Sequence, residues 1–152
     1  MKVLTDLFNL FYRSIFRIGN GSPVTNFYWQ CGTLKVEYMI LQRKLNFIHH
    51  LANLPVQSLA GEIFQIQEVQ AIGIMKECEE HLAKLNFPVN RHASKWHWKR
   101  EVRKYIFHVN KQCLLEEMKR YKKLDYDTCS RESFERKYYF FDLNLEQVRD
   151  KF

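Results

Sequence analysis

The chain is 152 residues long, 46% hydrophobic and 27% charged, with a formal net charge of +7. That length and balance suit one globular domain with a real core. Scarce glycine and proline (5 and 3) beside 15% aromatics argue against a turn-rich β fold.

Early polar residues (Asp6, Asn9, Arg13) break the first apolar run too soon for a signal-peptide core. The uncharged windows 18–34 and 45–61 contain Pro, Gly, Asn or paired His and fall short of the ~20 apolar residues that span a bilayer. Cys31, Cys78, Cys113 and Cys129 are widely spaced, as expected of reduced thiols in a soluble intracellular protein, cytoplasmic or nuclear.

In chain order, Thr5 or Asp6 is placed to cap a first helix to about Ile18, with Leu7, Leu10, Phe11, Ser14 and Ile15 on one face and Gly19 as its stop. Ser22 and Pro23 follow a turn as the N-cap and first position of a short helix to Gln30, closed by Gly32. Residues 34–54 carry two apolar stripes at helical spacing. Leu34, Tyr38, Leu41, Leu45, Ile48 and Ala52 form one, and Val36, Ile40, Phe47, Leu51 and Leu54 the other. Two stripes predict a helix covered on both sides, the central helix of an irregular all-α bundle. Pro55 ends it.

Ser58 opens an amphipathic helix to about Val69, with Leu59, Ile63, Phe64 and Ile66 as its apolar residues. Met75, Cys78, Leu82 and Leu85 give a single stripe for a helix ending before Pro88. After a polar linker, Ser94 is a good N-cap for a basic helix over 95–123, with Asn110 as the expected point of a kink. A loop at 125–133, a short helix at 133–141 and a last helix from Asn144 complete the reading. That last helix is still running at Phe152, as if the chain were cut from something longer. The whole is expected to be one helical domain, with sub-parts 1–88 and 89–152.

The charge is concentrated. Residues 91–123 hold eleven basic and three acidic side chains, whereas 61–90 and 124–152 are net acidic. In the basic helix Trp98, Val102, Tyr105, Val109 and Cys113 form an expected apolar face. Lys95, Lys99, Arg100, Arg103, Lys104 and Lys111 supply cations, and Trp96 and Phe107 fall among them, about three turns apart on one face. Cations neutralise phosphates, and an exposed aromatic stacks on an unpaired base, so these eight residues are the candidate nucleic-acid site. The same pattern also fits a solvated surface helix with Trp96 packed under a neighbour. Exposure of Trp96 separates the two.

Other constellations carry less. The pairs His49 and His50, Cys78 and His81, and His92 and His97 do not reach the four converging ligands of a zinc site. Gly19-Asn20-Gly21 has no preceding strand and is too short for a phosphate loop. Glu116 and Glu117 near Lys119 and Arg120 read as helix-surface pairs. No catalytic centre, metal, cofactor or small-molecule substrate is expected.

Residues 15–64 resemble the segment just after the polymerase domain of non-LTR (LINE-type) retrotransposon polyproteins. An arginine and a small-residue turn lead there into an aromatic-rich helix. Next comes a helix matched here by Arg43, Lys44, Leu45, Phe47, His49, His50, Leu51, Asn53, Leu54 and Pro55. Residues 73–88 and 98–127 are similar to its later helices, and 143–152 to the approach to a Cys-Cys-His-Cys knuckle. The Tyr-x-Asp-Asp palm motif, the endonuclease and the knuckle cysteines are missing. The resemblance implies a non-catalytic, thumb-to-linker region of a reverse transcriptase, whose partners are RNA or DNA and the polymerase domain of the same element, with no membrane. Contacts would be phosphate-driven and little dependent on sequence.

Overall fold

The computed structural model describes residues 2–17, 19 and 23–120. The expected elements from 125 onward lie outside the described residues, as does Cys129. Six α-helices and one 3-10 turn occur among the described residues, and no strand. The helices are α1 (Lys2–Phe16), α2 (Thr25–Cys31), α3 (Val36–Ala52), α4 (Leu59–Gln70), α5 (Gly73–Lys84) and α6 (Lys95–Arg120), with the 3-10 turn at Val89–His92. The fold class is all-α, as the periodicity predicts. No described helix is long and apolar enough to cross a membrane.

The described residues divide into two compact units, one of those up to 36 and from 109 onward, the other of residues 37–108. The division runs through α6.

In the first unit α2 starts at Thr25, two residues later than the Ser22-Pro23 signal suggests. Its N-cap is Val24, which makes no side-chain cap bond. Gly32 closes it as expected, with φ 61° and its N–H on Trp29 O, and Thr33 N–H reaches back to Tyr28 O. Val24, Tyr28, Trp29, Val36, Leu114 and Met118 are buried. Polar contacts tie α2 and the α2–α3 loop to α6: Thr25 Oγ1 donates to Glu117 Oε2 at 2.9 Å, and Lys35 N–H donates to Asn110 Oδ1 at 3.2 Å. Lys35 Nζ also pairs with Glu117.

Helix α1 begins at Lys2, ahead of the expected Thr5 or Asp6 cap, and buries no residue. The predicted face is solvent-exposed at Leu7, Leu10, Phe11 and Ile15. The contacts come instead from Tyr12 and Phe16. Tyr12 lies 4.9 Å from Phe27 and 5.4 Å from Tyr28, and Phe16 lies 4.2 Å from Phe27, centroid to centroid. Aromatic pairs gain from tilted and edge-to-face contacts, and Tyr12 meets Tyr28 edge to face while its contact with Phe27 and that of Phe16 are tilted, so a row at positions 12 and 16 faces α2.

In the second unit Leu45 and Ile48 of α3 are fully buried, together with Phe64, Cys78, Leu82, Leu85, Trp98, Val102 and Ile106. Helix α3 is two residues shorter at each end than the predicted 34–54. Most of its circumference is at least partly covered, but Phe47 of the second stripe is exposed. Ser58 caps α4 as expected, accepting from Gly61 N–H at 3.1 Å. Phe64 is buried, whereas Leu59, Ile63 and Ile66 face solvent. Gly61 is required by space: a Cβ there would lie 2.5 Å from the Pro55 carbonyl oxygen. Of the predicted stripe, Cys78, Leu82 and Leu85 are buried and Met75 is half-buried.

Helix α6 corrects the expected apolar face. Its buried residues are Trp98, Val102, Ile106, Asn110, Leu114 and Met118, while Tyr105, Val109 and Cys113 are half-buried. A strict four-residue step drifts about 40° round the helix each time, at ~100° per residue. An alternating three-and-four pattern stays on one side and misses it. The helix is unbroken through Asn110, which is itself buried.

Candidate nucleic-acid interface

Ser94 begins the candidate interface. Its Oγ accepts from His97 N–H at 3.2 Å, satisfying a donor of the first turn of α6. From there Lys95, Trp96, Lys99, Arg100, Arg103 and Lys104 are all exposed and all belong to the second unit. Trp96, Arg100 and Arg103, with Phe107, fall within about 60° of helix circumference at ~100° per residue. The burial of Trp98, Val102 and Ile106 holds this arc outward.

Trp96 is 69% exposed. The Arg100 guanidinium lies 4.8 Å from its ring centroid, a cation–π contact that holds ring and charge together. Arg100 also reaches His97 Nδ1 at 3.2 Å and Glu101 at 3.5 Å, and Lys104 reaches Glu101 at 3.5 Å. Glu101 is thus a carboxylate shared by two of these cations, and its pairs are long and solvent-exposed, hence weak. Phe107 is half-buried, and Lys111 is half-buried in the first unit. The exposed cluster thus holds six of the eight predicted residues.

Beside the cluster, still within the second unit, lies a groove of about 340 Å³ lined by residues that include Asn46, His50, Asn53, Lys95, Trp98 and Lys99. Its rear wall is built from His49, which stacks on Trp98 at 4.9 Å with the planes 13° apart. His49 Nε2 donates to Ala93 O at 3.0 Å. Burial pushes the His49 pKa down, so the ring is neutral at pH 7. The Asn53 amide donates to His49 O at 2.8 Å and to Arg91 O at 2.9 Å, tying the end of α3 to the 3-10 turn. Sequence reasoning missed this groove. The signal was available in the row Asn46, His50 and Asn53, polar residues about one helical turn apart on and just past α3.

The remaining titratable pairs have structural surroundings. Cys78 is buried, and burial raises its thiol pKa. His81 Nδ1 and the Tyr105 hydroxyl share a hydrogen bond of 2.7 Å. Burial, with Lys84 nearby, lowers the histidine pKa, and burial raises that of the tyrosine. No group of three or more His, Cys, Asp or Glu able to hold a metal occurs among the described residues. Cys31, Cys78 and Cys113 form no disulfide among the described residues.

Comparison with protein-family models, with curated proteins and with solved structures finds no match. The described chain is defined by its own physics: an all-α protein with a cationic, aromatic-bearing helix face beside a groove.

Proposed function

We propose that the chain is a non-catalytic nucleic-acid-binding module, equivalent to the helical thumb-to-linker region of a non-LTR retrotransposon reverse transcriptase. It holds RNA or DNA through the first half of α6, by phosphate contacts with little sequence preference. The observation that carries the reading is Trp96, exposed beside five exposed cations on one helix. A solvated surface helix has no need of a large exposed indole, whereas a strand-binding face uses one to stack on a base.

Fluorescence anisotropy with a single-stranded RNA across a salt series tests this, with circular dichroism on the same samples. The expected result is a helical protein whose affinity falls steeply with salt and whose Trp96 fluorescence responds to RNA. A helical protein that ignores RNA at low salt would overturn the proposal. That result would favour a second reading, a protein-interaction module, which has its own observation in the exposed Leu7, Leu10, Phe11 and Ile15 of α1.

A further inference from the structure

We propose that the groove beside α6 takes an unpaired nucleobase, so that the module prefers single strands; this rests on the nucleic-acid reading above. The first argument is size. About 340 Å³ is at the low end of ligand pockets, which run roughly 300–1,000 Å³, and suits a nucleoside better than a helix or a peptide loop.

The second argument is unmet hydrogen bonding. Two lining residues each carry a buried polar atom with no partner among the described residues: Trp98 Nε1 and Asn46 Oδ1. Trp98 is 1% exposed. Buried polar groups are nearly always paired, so orphans at one groove mark a place where a partner belongs. The indole can only donate and the amide oxygen can only accept. A nucleobase edge carries both an acceptor and a donor, so it offers each orphan the kind of partner it lacks once the lining side chains admit it. A carboxylate answers only the first.

The third argument is what surrounds the opening. His50 is exposed and lines the groove, and an imidazole face stacks on a base. Lys95 and Lys99 line the same groove and belong to the cationic cluster, so they suit the phosphates on either side of an inserted nucleotide. A duplex keeps its bases stacked inside and cannot offer this contact without flipping one out.

The test compares two probes with equal phosphate counts, a single-stranded DNA 12-mer and the same strand made wholly abasic, each titrated against the full chain by anisotropy at matched salt. The abasic strand should bind about tenfold more weakly, and His50→Ala should shrink that gap while leaving affinity for the abasic strand within about twofold. In ¹H–¹⁵N spectra the Trp98 indole resonance, assigned with Trp98→Phe, should move with the base-bearing strand and stay put with the abasic one. Equal affinity for the two strands with an unmoved Trp98 resonance would overturn the groove proposal and leave the phosphate-driven reading standing. Failure of both strands to bind at low salt, with the protein helical, would overturn both.

Discussion

Reversing two charges on α6 is the most informative perturbation of the proposed interface. Five exposed cations (Lys95, Lys99, Arg100, Arg103 and Lys104) stand on the second unit's part of the helix. If each neutralises one phosphate of a single strand, log K falls with log salt at a slope of about −3.5, using ~0.7 per phosphate. Raising salt from ~50 to ~200 mM then costs roughly 130-fold in affinity. Arg100→Glu with Lys104→Glu leaves three cations and a slope of about −2.1, so the same rise costs roughly 20-fold. Extrapolating both lines to a common value at ~1 M salt, the double variant binds roughly 60-fold more weakly at ~50 mM, before any repulsion from the new carboxylates. The fold should survive. The exposed like-charge pair costs about 0.3–0.5 kcal/mol and the lost Trp96–Arg100 contact about 0.5–1 kcal/mol. Anisotropy over the salt series measures slope and affinity together, and dichroism on the same samples reports helicity. A helical double variant with an unchanged slope and an affinity within threefold of the parent would refute the assignment of this face.

Three further outcomes are expected. His49 and His81 have pKa values lowered first by burial, so the unfolded chain binds their protons more tightly than the folded one. Their neutral forms add stability above the unfolded value of about 6.5, and this is lost as pH falls from there through the folded values. The urea midpoint should therefore drop between about pH 7 and the acid side, and His49→Gln should reduce that drop. Gly61→Ala should destabilise by about 1–3 kcal/mol in thermal melts, because its Cβ meets the Pro55 carbonyl oxygen at 2.5 Å, a backbone atom that cannot swing aside. Asn110→Ala should cost about 1–3 kcal/mol in urea unfolding, since it removes the buried acceptor of Lys35 N–H and leaves a gap in the α6 row.

Much of the fold was legible in the order of residues, for local reasons. Helix starts at Ser58 and Ser94 depend on a side-chain oxygen reaching a backbone N–H three residues on, and the stop at Gly32 on a left-handed φ. Such rules act within one turn, and periodicity made the all-α class plain. The candidate site was half legible: spacing put Trp96, Arg100 and Arg103 on one arc, since positions on a helix follow from counting.

Which face is covered is a property of neighbours, and there the tertiary structure decided. Aliphatic residues of α1 and α4 that look like core face solvent, because the aromatic row of Tyr12 and Phe16 and the single ring of Phe64 make the contacts. In α6 the polar Asn110 holds a buried place, since Lys35 N–H supplies the hydrogen bond that admits its acceptor. The groove needed the tertiary structure most. Asn46, His50 and Asn53 are about forty-five residues from Lys95, Trp98 and Lys99 along the chain, and the packing of His49 on Trp98, with the His49–Ala93 and Asn53–Arg91 hydrogen bonds, brings the two sets to one opening.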